Sequence, residues 1–345
     1  MSDRKLGNSH RALRSGWHPV ARSDEVGTDP LAVMLLGEAW ALVRLEPDTS
    51  VSAWLDVCPH RLAPLSAGRV DDGRLRCGYH GWCFDAAGAC TEIPSNRADA
   101  AVPSRARATV PAALTERHGL VWLAPEPPLA PLLEKFDAEG DDRFLRKSLQ
   151  PTRAMVSAGL MIDNFLDMAH FPFLHAATIG TPESAIVHDL DITRDGFGMS
   201  LHSEHPFPNH EDPGVAEGVR PLVQTRRLTY TYRAPFSIRL RIDYIEAGGT
   251  NVIDFFVQPE DDDHCRLHTV VLRNDLDGDH LRLAEAVSFE QKVLEEDLAI
   301  QELYLDRSLP LDITTEVHVR ADRMTVELRR ILADFVATAT APPRN

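Results

Sequence analysis

The hydrophobic positions in the first third of the chain fall into short runs separated by turn-forming residues. Residues 31–45 predict two strands joined by a tight turn at Gly37 and Glu38. Further strand-length runs lie at 51–57, 74–76, 82–84, 90–93 and 119–124. Short strands at this spacing are typical of a small antiparallel domain, in which the tips of neighbouring hairpins can carry functional loops.

The pattern changes after a proline-rich stretch at 125–131, which cannot continue a strand or a helix. Helical patterns follow at 155–171, 279–307 and 321–337, and strand-like runs at 187–192, 226–232, 237–245, 251–258 and 266–272. Strand runs bounded by helices predict an α+β domain, in which helices pack against a sheet. We therefore expect a small all-β domain at 1–130 and an α+β domain at 131–345.

Composition and charge narrow the classes of function. The 345 residues include 36 Lys and Arg against 52 Asp and Glu, a net charge of −16, which argues against a nucleic-acid partner because phosphate backbones need a basic surface. No apolar run reaches the length of a membrane span, and the first residues lack the apolar core of a signal peptide. Three cysteines outside the motif below, Cys83, Cys90 and Cys265, form no disulfide framework and are expected in the interior. These features predict a cytoplasmic protein without a membrane partner.

Cysteine and histidine occur together in the stretch 57–84. Cys58-x-His60 and Cys77-x-x-His80 are two metal-ligand pairs with sixteen residues between them. Each pair joins one thiolate to one imidazole, whereas a structural zinc site more often joins two alike. A Rieske [2Fe-2S] cluster takes two cysteines on one iron and two histidines on the other. The pattern favours such a cluster and leaves a zinc site as the alternative.

A second group of candidate ligands lies on the predicted helix at 155–171. Spacings of four and three put Asp163, Asp167 and His170 on one helix face. Asn164 lies at the border of that face. Two carboxylates on an otherwise apolar helix are costly without a counter-charge, which a divalent cation would supply. Ordinary helix-surface acids would give the same spacing.

A second histidine follows this group. His175 comes five residues after His170, so an unbroken helix would point the two rings in different directions. Pro172 lies between them and is expected to break or bend the helix, which would let both rings converge. Two unrelated histidines remain the alternative interpretation of this spacing.

The third ligand of such a site should be a carboxylate. Asp297 lies on an apolar face of the predicted long helix, where an acid is unusual, whereas Glu295 and Glu296 are predicted to be solvated surface charges. Two histidines and one carboxylate with open positions are typical of a non-haem Fe(II) site that activates oxygen.

The order of these motifs resembles a known family, the catalytic α-subunits of Rieske non-haem iron oxygenases. The segments CPHR and CGYHGWCF resemble the two cluster-binding loops, and DNFLDMAHFPFLH resembles the iron-binding segment. GWHPVAR near the start and VRADRMTVELRRIL near the end extend the likeness over nearly the whole chain. The size and these segments resemble the branch that contains vanillate and dicamba O-demethylases and methylxanthine N-demethylases.

The resemblance implies a Rieske domain followed by a helix-grip (START-like) catalytic domain, and a head-to-tail homotrimer. The implied ligands are Cys58, His60, Cys77 and His80 for the cluster, and His170, His175 and Asp297 for a mononuclear Fe(II). By the same resemblance, the catalytic residues include Asn164 and Asp167. The carboxylate of Asp167 would link His170 to the cluster ligand His80 of the adjacent subunit.

The implied function is a monooxygenase acting on a small aromatic, heterocyclic or alicyclic substrate. It would hydroxylate a carbon with O2, and a hydroxylated O- or N-methyl group would leave as formaldehyde. No flavin or nicotinamide motif stands out, so the electrons are expected from a separate NAD(P)H-dependent reductase or ferredoxin. Two other hypotheses stay open: a Rieske electron carrier fused to a non-catalytic ligand-binding domain, and a zinc-stapled ligand-binding protein.

The substrate pocket is expected between the sheet and the helix that carries Asp297, within the segments 205–225 and 236–256. Aromatic candidates for its lining are Phe207, Phe236, Phe255 and Phe256, although aromatic residues on strands are more often core. Four arginines are candidate anchors for an anionic substrate: Arg226, Arg227, Arg239 and Arg241. Exposed positions on strands would explain these arginines equally well.

Overall fold

The computed structural model describes residues 4–97, 99–136, 140–176, 178, 186–188, 190–209 and 212–342. The described residues form two compact units. The first unit comprises Ser9–Leu129 and Gln258–Asp262, and the second comprises the rest. Strand β1 (Lys5–Leu6) therefore groups with the second unit, although it lies near the start of the chain. The domain division at residue 130 stays a prediction.

The first unit is built from antiparallel hairpins. Its strands are β2 (His18–Arg22), β3 (Leu31–Leu35), β4 (Glu38–Arg44), β5 (Val51–Leu55), β6 (Arg69–Asp71), β7 (Arg74–Arg76), β8 (Cys83–Phe84), β9 (Cys90–Glu92), β10 (Ala113–Arg117) and β11 (Leu120–Ala124), with 3-10 helices at Arg11–Ser15 and Ser23–Glu25. The sheets have the orders β3-β4-β5, β10-β11-β2 and β6-β7-β8-β9. The predicted antiparallel β domain is confirmed, although the apolar pattern did not predict β2, β6 or β10.

Two-residue turns set the register of these hairpins. Leu36 and Gly37 join β3 to β4 with φ values of 54° and 78°, and Asp72 and Gly73 join β6 to β7 with 51° and 68°. Positive φ at both central residues is typical of the type I′ turn, whose twist matches that of the flanking strands. The predicted turn thus lies one residue earlier than expected, because Glu38 already begins β4.

An apolar cluster lies beneath the loops that carry the first candidate ligands. Its largest fully buried members are Trp54, Leu65, Leu75 and Phe84, and it also includes the ligand candidates Cys58 and Cys77. Burying a large apolar side chain contributes on the order of 1.5–3 kcal/mol. The cysteines of both loops are therefore anchored in a packed interior.

The second unit is a sheet with helices packed on it. Its strands are β12 (Leu145–Ser148), β13 (Thr152–Ala154), β14 (Asp191–Asp195), β15 (Gly198–Pro208), β16 (Val223–Arg233), β17 (Ser237–Tyr244), β18 (Thr250–Pro259), β19 (Cys265–Arg273) and β20 (Leu309–Pro310), and its helices are α1 (Ala158–Leu166), α2 (Phe171–Leu174), α3 (Pro213–Ala216), α4 (His280–Gln301) and α5 (Arg323–Thr340), with a 3-10 helix at Arg320–Asp322. The main sheet has the order β12-β19-β18-β17-β16-β15-β14, β13 also pairs with β19, and β20 pairs with β1. The predicted α+β fold is confirmed. Residue 189 of the strand predicted at 187–192 lies outside the described residues.

The helix predicted at 155–171 is two helices. α1 begins after Ser157, whose hydroxyl accepts the N–H of Leu160, and it ends at Leu166. Pro172 lies in the first turn of α2, where its missing N–H costs nothing. The prediction that Pro172 breaks the helix was therefore wrong, because the break precedes it at residues 167–170.

Helices α4 and α5 hold α1 in place. Both contact α1, and α5 buries an apolar stripe that includes Leu328, Ile331, Leu332 and Phe335. Asp279 caps the N-terminus of α4 by accepting the N–H groups of Leu281 and Arg282. Among the described residues, no helix combines the length and the apolar character needed to cross a membrane.

Candidate metal centres

The first candidate centre is carried by two loops that share a pattern of backbone hydrogen bonds. Between β5 and β6, the N–H of Leu62 donates to the carbonyl of Cys58 at 2.9 Å. Between β7 and β8, the N–H of Gly81 donates to the carbonyl of Cys77 at 3.0 Å. Leu62 and Gly81 both have positive φ, 59° and 71°. Each loop therefore turns back four residues after its cysteine, which brings cysteine and histidine to the same side.

The four predicted ligands of these loops come together. The ring centroids of His60 and His80 are 4.4 Å apart, and Cys58 and Cys77 are each 2% exposed. Burial, together with the neighbouring thiol of Cys77, raises the pKa of Cys58 to about 11. Nδ1 of His60 is buried and has no hydrogen-bond partner within the described residues. Two thiols and two rings, one with an orphaned nitrogen, fit a [2Fe-2S] cluster of the Cys2His2 type.

Neighbours that the sequence did not single out surround these ligands. The indole of Trp82 stacks on the ring of His60 with centroids 4.5 Å apart and planes 8° from parallel. Leu62 and Tyr79 are 73% and 67% exposed, so each loop presents a large apolar side chain to its surroundings. Their position beside the ligand pairs was the signal that the sequence offered.

The second candidate centre brings together His170, His175 and Asp297. Nε2 of His170 lies 3.1 Å from Nε2 of His175. The Oδ1 atom of Asp297 lies 3.4 Å from the first of these nitrogens and 3.1 Å from the second. One ligand atom from each residue thus falls within 4.8 Å of the others, which fits a single metal ion.

The one-turn helix α2 explains how two histidines five residues apart converge. His170 immediately precedes α2 and His175 immediately follows it, so the turn carries the chain around between them. Asp297 reaches the same point from α4, 122 residues further along the chain than His175. Although burial disfavours a charged ring, hydrogen bonds with Asp167 and Asp297 raise the pKa of His170 to about 9. A metal ion would take the place of that proton.

Each of the three candidate ligands has its own side-chain partner. Oδ2 of Asp167 lies 3.3 Å from Nδ1 of His170, and its Oδ1 accepts the N–H of Ala169. The amide of Asn164 donates to Oδ1 of Asp297 at 3.1 Å. A metal-bound histidine usually donates its other ring N–H to such a partner, which fixes the tautomer and orientation of the ring.

The partner of His175 is Glu296, and here the sequence-based prediction was wrong. Oε2 of Glu296 lies 2.8 Å from Nδ1 of His175 and also accepts the hydroxyl of Thr178 at 2.8 Å. Its side chain is 22% exposed, so it is not the solvated charge that the sequence predicted. Glu295 is exposed, as expected. Helical periodicity alone could not separate these two, because the contact depends on where α2 sets the ring.

Asp163 does not join this centre. Its carboxylate forms a two-pronged ion pair with Arg329 of α5, which also pairs with Glu316. The expectation that Asp163 shares one face with Asp167 and His170 was wrong, because α1 ends at Leu166. Asp163 is instead a structural residue that ties α1 to α5.

The predicted pocket aromatics divide between the two faces of the sheet. Phe255 stacks on Phe165 of α1 with ring centroids 4.6 Å apart, so it faces the helices. Phe256, the next residue of β18, points to the opposite face and is fully buried. Phe207 lies near Tyr244 with centroids 5.8 Å apart. Phe236 is buried in the core.

Comparison with known proteins agrees with both centres. The Rieske [2Fe-2S] domain model matches residues 16–111, and the vanillate O-demethylase oxygenase C-terminal domain model matches residues 155–338. The methylxanthine N3-demethylase NdmB of Pseudomonas putida is 30% identical over 340 residues, which cover 92% of this chain and 88% of that protein. The structure of Pseudomonas putida NdmA with caffeine superposes with a TM-score of 0.80 at 25% identity and covers 98% of each chain. Dicamba monooxygenase bound to dicamba has a TM-score of 0.78 at 22% identity, over 96% of this chain and 99% of that one.

Proposed function

We propose a demethylation for this chain, which belongs to the Rieske oxygenases that join a Rieske [2Fe-2S] domain to a vanillate O-demethylase oxygenase C-terminal domain. It is an oxidoreductase of the monooxygenase type. In the proposed reaction a methyl group on the oxygen or nitrogen of a small ring compound is hydroxylated and leaves as formaldehyde. The names of the relatives, which include N- and O-demethylases, support this reaction class.

The electron balance of this reaction requires an outside donor. A methyl ether, O2, two electrons and two protons give the alcohol, formaldehyde and water. The C–H bond supplies the other two of the four electrons that reduce O2. We propose that a separate reductase or ferredoxin delivers the outside pair, because the sequence has no nicotinamide or flavin motif.

The observation that carries the proposal is the convergence of His170, His175 and Asp297. We assign these three residues to a mononuclear Fe(II). We assign the [2Fe-2S] cluster to Cys58, His60, Cys77 and His80. When bound, the cluster and the ferrous ion supply stored electrons and the activation of O2.

The remaining residues of the site orient the three iron ligands. Asp167 and Glu296 accept the Nδ1–H groups of the two histidines, which leaves both Nε2 lone pairs for the metal. Asn164 donates to the ligand oxygen of Asp297 and so limits the rotation of that carboxylate. These contacts keep the donor atoms converged before substrate or O2 enters.

We further propose a homotrimer in which the cluster loops of one copy meet the Asp167 side of the next. The exposed Leu62 and Tyr79 beside the cluster ligands support such a contact, because burial against a second copy would remove them from water. Co-expression tests it. Chains with Cys77→Ser should not load the cluster, and chains with Asp167→Asn should turn over about 100-fold more slowly. Mixed trimers should regain part of the activity if electrons cross between copies, and none if each copy works alone.

The demethylation is tested with anaerobically reconstituted protein, NADPH and a generic ferredoxin–ferredoxin reductase pair. Methoxy- and N-methyl-substituted ring compounds form the panel, and formaldehyde is measured against O2 consumed. We expect one formaldehyde per O2 with a competent substrate. Hydroxylated products that keep the methyl group would refute demethylation but keep the oxygenase. Reversible cluster reduction without any oxygenated product would favour the electron-carrier hypothesis instead.

A further inference from the structure

One arginine of the second unit lies on the helix-covered face of the main sheet. Successive residues of β16 alternate between faces, so Arg226 shares its face with the buried Tyr230. Phe165 of α1 lies against Tyr230 with centroids 6.4 Å apart and stacks on Phe255 of β18. Arg226 therefore lies on the same face as the helix that carries Asn164.

The other candidate anchors have carboxylate partners. Within the described residues, the pairs are Arg227 with Glu204 at 2.9 Å, Arg239 with Asp254 at 2.6 Å, and Arg241 with Asp243 at 2.9 Å. Arg227 is exposed and lies on the opposite face of β16 from Arg226. These three arginines are explained by their ion pairs and need no ligand.

Arg226 differs, because no carboxylate of the described chain pairs with it. Its Nε–H donates instead to Nε2 of His205 at 2.8 Å, and its guanidinium lies 5.1 Å from the ring centroid of Phe207. Burial, with Arg226 and His188 nearby, lowers the pKa of His205 to about 4, so that ring is neutral. The positive charge is thus half-buried among neutral groups, an arrangement that costs free energy until an anion compensates it.

A second unsatisfied polar group lies on the same face. Asn251 is 4% exposed, and its Oδ1 has no hydrogen-bond partner within the described residues. Strand register connects it to Arg226, because Asn251 pairs with Ile242, which pairs with Leu228, two residues along β16. An amide can present either its oxygen or its NH2 at such a position. The interior face therefore offers an unpaired cation and an unused amide to a polar ligand.

We infer that Arg226 binds a carboxylate of the substrate, so that the ring compound proposed above is an organic acid. The inference rests on the proposed function and adds the substrate class to it. A guanidinium forms two parallel hydrogen bonds with a carboxylate, and its Nη groups remain available because Nε is the atom that contacts His205.

Equilibrium binding to the anaerobic holoenzyme tests this inference. The probes are 4-methoxybenzoate, 4-methoxyphenylacetate and 3-(4-methoxyphenyl)propionate, each compared with its neutral amide by titration calorimetry. We expect the wild-type protein to bind at least one acid about tenfold or more tighter than its amide. Equal binding of acid and amide, or no binding of any acid, overturns the inference without any variant.

Two matched variants locate the effect. Arg226→Gln should weaken binding of the preferred acid about tenfold or more and leave the amide unchanged. Arg227→Gln, one residue away on the opposite face, should change neither. If Arg226→Gln does not fold, Arg226→Lys keeps the charge but not the two-pronged geometry and should still lose acid affinity. Acid binding that survives loss of the guanidinium overturns the inference.

Formaldehyde release in the same samples separates this inference from the proposed function. Arg226-dependent binding of an acid, with no formaldehyde from any compound, would keep the anion site and refute demethylation. Formaldehyde from the amides alone would keep demethylation and refute the anion site.

Discussion

The two proposed metal centres position their candidate ligands by different means. In the first, matching backbone hydrogen bonds at Cys58 and Cys77 shape the loops, and His60 keeps an unpartnered ring nitrogen. In the second, side chains orient the ligands, with Asp167 on one histidine and Glu296 on the other. The first arrangement is determined by two short segments of the chain. The second forms only when α1, α2 and α4 pack together. Substitutions near the first should therefore act through the ligands themselves, and substitutions near the second also through their partners.

The largest expected effect is the loss of one centre without the other. His175→Ala should reduce iron from three to two per chain, leave the visible absorption of the cluster intact and lower product formation to background, because one of three donors is gone. Cys77→Ser should instead remove the cluster absorption. Loss of both metals in His175→Ala would show that the two centres are not built independently.

The next effect concerns a partner of the second centre. Asp167→Asn should retain both metals and lower turnover about 100-fold, because the neutral amide no longer orients His170 or carries the negative charge. Asp163→Asn makes the same change four residues earlier, where the carboxylate pairs with Arg329. That control should lower the melting temperature but keep turnover. If Asp167→Asn turned over as fast as Asp163→Asn, Asp167 would have no role in turnover.

A smaller effect is expected for Glu296→Gln. The amide can still accept from Nδ1 of His175 but loses the charge that strengthens the contact, so affinity for Fe(II) should fall about tenfold. Glu295→Gln is the matched control, since Glu295 is exposed on the same helix. Titration of the iron-free second centre with Fe(II) measures both. An unchanged affinity in Glu296→Gln would mean that the backbone alone orients His175.

The smallest effect on turnover is expected for a buried histidine that belongs to neither set of candidate ligands. His18 is buried and donates Nε2–H to the carbonyl of Leu13, and burial lowers its pKa to about 4. A lowered histidine pKa adds stability above the unfolded value near 6.5, and this contribution is lost as the pH falls towards 4. The loss is about 3 kcal/mol. His18→Gln should flatten this slope in urea unfolding between pH 7 and 4, with turnover at pH 7 unchanged. An identical slope in both proteins would contradict it.

The first candidate centre was easier to predict from the sequence than the second. Cys58, His60, Cys77 and His80 lie within 23 residues and share local turns, so their spacing alone indicated a common site. His170, His175 and Asp297 were also predicted, but the assumed geometry was wrong, because α1 stops at Leu166 and the turn of α2 makes the rings converge.

What the sequence could not predict depended on packing between distant elements. The role of Glu296 arises only when His175 reaches α4, and spacing on one helix says nothing of that. Arg226 likewise could not be separated from Arg227, Arg239 and Arg241 before the faces of the sheet and the carboxylate partners were known. The secondary structure and the local motifs could be predicted from the sequence. The partners of individual side chains could not.

We propose that His170, His175 and Asp297 hold an iron ion that is distinct from the cluster. The most direct measurement is total iron and acid-labile sulfide per chain in anaerobically reconstituted wild-type protein that is active in the formaldehyde assay. We expect three irons and two sulfides per chain. Two irons and two sulfides in fully active protein would contradict it.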